Sequence, residues 1–185
     1  MAVIFRCVQC GRSLDWKGAT PVVSCKSHGT AADITLERAD RPGERALALL
    51  VNSFGQADQQ IFDRRYDTRE HPCVVAKEGG YVVGVASYAI EDALVTVVAT
   101  AVDPQYQGSG IGGKLYREID EIALASGATR LRSVTTNDNA LSLYFHQRAG
   151  YVIDSVVAIA GVGNGRPGLG GIPLRQEIRL VKALG

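Results

Sequence analysis

The chain has 185 residues, 46% of them hydrophobic, with 20 basic and 19 acidic side chains. That length supplies one well-formed core and a small appendage, and the near-zero net charge excludes a broad electrostatic pull toward nucleic acid or membrane. No apolar run reaches the roughly 18 residues of a membrane-spanning helix, and the N-terminus lacks a signal peptide's charged start and long apolar middle, so the expected location is cytoplasmic.

The first 31 residues carry chemistry of their own: Cys7 and Cys10 form a CxxC and Cys25 and His28 a CxxH, with a spacer of 14 residues between them. Each pair suits a tight knuckle, with Gly11 and Gly29 supplying backbone freedom, so that three thiolates and one imidazole reach a tetrahedral ion. Iron sites of this kind normally use four cysteines, and the histidine shifts the expectation to zinc. So short a segment buries too little apolar surface to fold alone. Metal offsets the deficit, since structural zinc contributes on the order of 10–16 kcal/mol of binding energy coupled to folding. With four protein ligands the zinc is structural, and the expected division is a zinc-ribbon-like module at 1–31 and a second domain at 32–185. The opposing reading treats the thiols as incidental and His28 as an ordinary loop residue.

Along the second domain, residues 32–38 alternate as a strand, and 42–54 carry a helical pattern through Ala46, Leu47, Leu50 and Val51. A less sharply patterned helical stretch is expected next. Residues 72–77 and 81–90 read as strands joined by the turn Glu78-Gly79-Gly80, with Cys73 a small core residue. Glu91 and Asp92 turn the chain into an apolar strand at 94–102, which ends at Asp103 and Pro104. A helix follows, with Ile111, Leu115, Ile119, Ile122 and Ala123 on its apolar face and Lys114, Arg117, Glu118, Asp120 and Glu121 toward solvent. Further strands are expected at 131–136, 152–159 and 177–181. Between the last two, residues 161–171 contain six glycines in eleven and read either as a mobile loop beside an acceptor site or as a plain connector. The fold class is α/β (α+β).

Gly108, Gly110, Gly112 and Gly113 stand where the apolar strand feeds the helix. Without side chains to hold a ligand away, the unpaired N–H groups and positive dipole end of a helix start favour phosphate. A P-loop is excluded because Lys114 is followed by Leu115 rather than Ser or Thr. The spelling GxGxxG is present through Gly108, Gly110 and Gly113, but it lies past the middle of the chain after a hairpin meander, not after the first strand of a βαβ unit.

The hexapeptide QGSGIG at 107–112 resembles the [QR]xxGx[GA] motif of the GNAT superfamily of N-acetyltransferases. The segment TTNDNALSLYFHQRAGY at 135–151 resembles that family's late strand, helix and strand, and GIPLRQEIRL at 171–180 is similar to the C-terminal strand of one subgroup. The resemblance implies a mixed, mostly antiparallel central sheet flanked by helices. It also implies acetyl-CoA as co-substrate, a primary amine as acceptor, direct transfer without an acyl-enzyme, and a homodimer as a compatible assembly. By register, main-chain groups of Thr100, Ala101 and Val102 face the pantetheine arm, while Gln107, Gly108, Ser109, Gly110, Ile111, Gly112 and Gly113 surround the pyrophosphate. Asn139 caps the late helix and is a candidate coenzyme contact, and Asn137 braces the late strand.

Many relatives place a tyrosine four residues before the closing glycine as general acid; here that position holds His146. Tyr144 is the other candidate, but two positions differ by about 200° around a helix, so only one of the two can face the sulfur. The strand at 94–102 lacks the glutamate that relatives often carry, which leaves Glu91, Asp92 or water as base. A non-catalytic acyl-CoA sensor whose ribbon recognises a protein or nucleic acid is the alternative that these departures raise.

Overall fold

The computed structural model describes residues 34–159 and 166–185. Contacts divide the chain into two units. The first runs up to Ala57 and adds Thr68–Ser87 and Ala99–Glu118; the second comprises Asp58–Asp67, Tyr88–Val98 and Ile119–Gly185.

In the first unit, the alternating segment becomes β1 (Ile34–Ala39) and the helical pattern becomes α1 (Glu44–Phe54). Ala46 and Leu50, four residues apart, are the buried positions of α1, and Gly55 closes it in the left-handed conformation. After the second unit's β2 (Asp58–Ile61) and β3 (Arg64–Asp67), the chain returns as β4 (Cys73–Glu78), whose first four residues are buried. The strand β4 pairs antiparallel with β1 and with β5 (Tyr81–Glu91). The turn between β4 and β5 uses Gly79 and Gly80, both at positive φ. Cys73 is fully buried, as expected of a core residue, and burial followed by the charge of Glu37 pushes its thiol up to about 11.

The strand β6 (Leu94–Val102) spans the predicted residues and leads to α2 (Ile111–Ala125). Ile111 and Leu115 are buried, and a Cβ at Gly84 of β5 would come within 2.7 Å of Ile111 Cγ2 and 3.3 Å of Leu115 Cδ1. Only a glycine lets α2 start this close to the strand. Arg38 of β1 and Glu118 of α2 form an ion pair at 2.6 Å.

In the second unit, β7 (Arg130–Thr136) runs parallel to β6 over three rungs, Leu94↔Arg130, Val95↔Leu131 and Thr96↔Arg132. Helix α3 (Ala140–Arg148) leads to β8 (Val152–Ala158), and β11 (Gln176–Ala183) pairs antiparallel with both β7 and β8. The strands hydrogen-bond in the order β1-β4-β5-β6-β7-β11-β8, which is the mixed, mostly antiparallel sheet that the sequence led us to expect. Ser133 and Lys182 face the helices, since Ser133 bonds to His146 of α3 and Lys182 to Asp120 of α2 at 2.6 Å. Arg132 and Arg179 point to the opposite face.

One expectation changes. The segment after α1 is no helix: β2 and β3 pair antiparallel around Phe62 and Asp63, both at positive φ. Such a two-residue turn normally takes Asn or Gly, and its place here is held from outside, by Arg132 and Arg179, each 5.0 Å from the Phe62 ring, and by Arg179 on Asp63 at 2.7 Å. The described end of the glycine-rich stretch carries a short strand. Pro173 and Leu174 of β10 (Pro173–Leu174) pair with β9 (Arg166–Pro167). The predicted ligands Cys7, Cys10, Cys25 and His28 lie outside the described residues, as does the 1–31 module they define. Among the described residues no helix is long and apolar enough to cross a membrane.

Candidate active site

The first unit builds a loop around backbone groups. At the end of β6 the Asp103 carboxylate accepts from the Gln105 N–H at 2.9 Å, which caps the short helical turn Pro104–Tyr106. The Tyr106 hydroxyl donates to Glu78 in the β4–β5 turn, and this bond, with burial second, pushes the phenol up to about 12. The Gln107 side chain donates to the Val102 carbonyl at 3.3 Å, so the loop folds back on its own strand. Gly108 and Gly110 sit at φ +81 and +88, and a Cβ on either would meet nothing within 4 Å. Those two glycines are conformationally required, and the space over them is open.

The first backbone bond of α2 runs from Lys114 N–H to Gly110 C=O at 3.1 Å. The amides of Ile111, Gly112 and Gly113 therefore precede the helical ladder and, with that of Gly110, have no intrahelical acceptor. Just upstream, Thr100 Oγ1 is buried without a hydrogen-bond partner among the described residues. A buried orphan hydroxyl is costly unless something else satisfies it, and it stands on the strand where the sequence places the pantetheine arm. Thr100, Ala101, Val102 and the residues 107–113 all belong to the first unit.

The remaining predicted residues lie in the second unit. Asn139 caps α3 by accepting from the Ser142 N–H at 3.0 Å. Asn137 accepts from the Arg175 and Gln176 N–H groups at 2.8 and 2.9 Å and donates to Pro173 C=O, so it ties β11 and β10 to the end of β7. Both asparagines take the capping and bracing places read from sequence. Beside them Asp138 receives the Leu169 N–H at 2.8 Å. Burial alone would raise its carboxyl, but bonds from Thr136 and from the Leu169 and Asp138 N–H groups hold it below the usual value.

On α3 the two acid candidates face different ways, as the helical angle required. His146 is 5% exposed and Tyr144 46%. His146 Nδ1 lies 2.8 Å from Ser142 C=O, which can only accept, so Nδ1 carries the proton and Nε2 accepts from the Ser133 hydroxyl at 3.1 Å. Burial holds the imidazole below its ordinary pKa and therefore neutral. The Ser133 hydroxyl also lies 3.4 Å from Val97 C=O, one residue past the last β6–β7 rung.

Glu91 belongs to a separate cluster. Arg64 and Arg132 pair with it at 2.6 and 3.2 Å, the Tyr66 hydroxyl lies 3.4 Å away, and Arg132 reaches Tyr66 and Thr96 Oγ1 at 2.8 Å each. Arg132 and Ser133 are successive residues of one strand, so Glu91 and His146 occupy opposite faces of β7. The sequence reading missed Arg64, Tyr66, Arg132 and Arg179. Ile61 and Tyr66, buried at the inner positions of β2 and β3, were the available signal, and the Phe62-Asp63 turn concealed it. No group of three or more His, Cys, Asp or Glu among the described residues is placed to hold a metal.

Within this mixed sheet a strand feeds a glycine-rich helix start, with a hydroxyl lacking a partner on the strand and amides without intrahelical acceptors at the helix. The chain belongs to the acetyltransferase (GNAT) family, whose pattern matches residues 40–151, and is an acyl-CoA-dependent N-acetyltransferase. It is 37% identical over 90 residues to the N-alpha-acetyltransferase RimI of Mycobacterium tuberculosis, a match covering 45% of this chain and 54% of that protein. Among solved structures it resembles an IAA acetyltransferase from Bacillus cereus, with a TM-score of 0.66 and 25% identity over 82% of this chain and all of that one. A GNAT family acetyltransferase from Elizabethkingia anophelis with acetyl-CoA bound shares the fold at a TM-score of 0.63 and 18% identity, covering 83% of this chain and 100% of that one.

Proposed function

We propose that this chain moves an acetyl group from acetyl-CoA to a primary amine whose pKa is that of an α-amino group, with positioning rather than side-chain proton transfer supplying most of the rate. The observation that carries the reading is the β6–α2 surface. Its amides at the start of α2 precede the helical ladder and suit a diphosphate, and Thr100 on the strand beside them carries a buried hydroxyl without a partner. In the reaction the neutral amine attacks the thioester carbon. The C–N bond forms, the C–S bond breaks with its electron pair on sulfur, and the nitrogen's surplus proton passes to water.

The side chains read from sequence as acid and base are better suited to positioning. Glu91 is committed to two guanidinium groups and a phenol. His146 is neutral with both ring nitrogens engaged, and it braces Ser133 where the β6–β7 ladder ends. Tyr144 lies on the outer side of α3. A thiol of pKa about 8.5 leaves as thiolate without obligatory protonation. Without a strong base the acceptor must be unprotonated on its own. An α-amine of pKa about 7.7–8.0 has a neutral fraction roughly 100-fold or more above that of a lysine side chain near 10.4. The N-alpha-acetyltransferase among the relatives is consistent with that choice.

Thiol release over a panel of amines tests the reading. Peptides and amino acids with free α-amines are expected to turn over, at rates rising with pH through the acceptor's own pKa. Faster turnover of Nε-lysine amines would overturn the acceptor class, and no turnover with any amine despite measurable acetyl-CoA binding would overturn the reaction.

For residues 1–31 we propose a structural zinc on Cys7, Cys10, Cys25 and His28, supported by the spacing of the two pairs. Elemental analysis of the purified full chain is expected to give one equivalent of zinc; less than half an equivalent would end this proposal.

A further inference from the structure

The first unit carries an open surface depression of about 290 Å³ that none of the predicted site residues lines. Its walls are one side of α1, with Arg45, Leu49 and Asn52, and the start of β5, with Tyr81 and Val82. Asp103 also lines it. The volume is at the lower edge of what a whole small-molecule ligand fills, so it suits one end of a longer ligand.

Three observations point to what that end is. The Arg45 guanidinium lies 5.7 Å from the centroid of the Tyr81 ring, an arrangement that leaves its planar fork of N–H donors available, and it pairs with no carboxylate among the described residues. Tyr81 is 68% exposed, so most of its ring is open to solvent beside that guanidinium. Helix α1 begins at Gly43 without a side-chain cap, so its first amides add to the positive field beside Arg45. The acid at the depression, Asp103, is turned into the loop, where it accepts from the Gln105 N–H.

The depression also adjoins the diphosphate loop. Asp103 belongs to both, its N–H donates to Val83 C=O at 3.0 Å, and Tyr106 is tied to Glu78 in the turn that begins β5. Asp103 thus joins the two, so a ligand with its diphosphate on the amides at 108–113 has this depression as a neighbour for a second phosphate. We propose that Arg45 binds the 3′-phosphate of coenzyme A and that Tyr81 stacks against its purine. The assignment rests on acetyl-CoA being the co-substrate, and it names residues outside the glycine loop that read the nucleotide end.

Calorimetric titration of the full chain with coenzyme A and with its 3′-dephospho form tests it. The unaltered protein is expected to bind the dephospho form about 10-fold more weakly, the size of one charge-assisted phosphate contact. Arg45→Gln is expected to weaken coenzyme A by about the same factor and leave the dephospho form unchanged, so that the preference disappears, with Arg45→Lys intermediate. Tyr81→Leu is expected to weaken both ligands alike. These residues are exposed, and an unchanged melting temperature confirms folding. An Arg45→Gln protein that keeps the full preference, or an unaltered protein that shows none, overturns the subsite while leaving coenzyme binding intact. Failure of both ligands to bind the unaltered protein overturns the coenzyme reading itself.

Discussion

The loop between β6 and α2 and the cluster around Arg132 use polar groups in opposite ways. At the loop, the amides that open α2 and the Thr100 hydroxyl are left unspent, and glycines keep the space in front of them clear. Around Arg132 the charges are consumed internally: Glu91 by Arg64 and Arg132, Asp63 and Glu177 by Arg179 at 2.7 Å each, and the Phe62 ring by two guanidinium groups. A surface with unsatisfied donors is built to receive a ligand, whereas a closed network of charges is built to hold a hairpin in place. Carboxylates in a network are thus poor markers of catalysis, and bare amides good markers of binding.

Substitutions can break this contrast. The largest effect is expected from Arg132→Leu. With its side chain 15% exposed, removal leaves Glu91, Tyr66 and Thr96 short of a partner, at a cost of about 3 kcal/mol of stability. Thermal denaturation should show it, with coenzyme affinity per folded molecule unchanged. A matching loss of affinity would mean that the network belongs to the coenzyme site. Next comes Gly110→Val. Its φ of +88 strains any β-branched residue by about 1–3 kcal/mol, so the loop relaxes and calorimetry should find coenzyme binding weakened about 30-fold with a nearly unchanged melting temperature. Retained affinity would show that the loop amides do not carry the diphosphate.

The smallest effect concerns His146. Burial holds its folded-state pKa below 6.5, so the unfolded chain takes up the proton first. Its contribution to stability is therefore full above pH 6.5 and is lost as pH falls toward the folded value. In His146→Phe that stretch of the stability profile should flatten, and turnover should change by less than about 10-fold with no new acid limb. A 100-fold fall in kcat at constant coenzyme affinity would restore the histidine as the acid, because general acids contribute on that scale.

Much of the architecture was legible along the chain because it depends on local pattern. Alternation placed β1, apolar runs bounded by turns placed β5 and β6, the spacing of Ile111, Leu115 and Ile119 placed α2, and Gly108 to Gly113 marked the turn into α2 through what their missing side chains permit. Asn139 announced a helix cap for the same reason: its side chain acts on the backbone three residues away. The hairpin of β2 and β3 was invisible because its turn is sustained by arginines from β7 and β11, distant in sequence.

By itself, then, the sequence determined the strands and helices other than the β2–β3 hairpin, the glycine-rich turn into α2 and the family, all of which rest on interactions within a few residues. Only the tertiary structure decided the state of the side chains. It buried His146 against Ser133, turned Tyr144 outward, enclosed Glu91 between Arg64 and Arg132, and brought Arg45 over Tyr81. The physical reason is that protonation and availability depend on desolvation and on partners that meet only when remote segments pack.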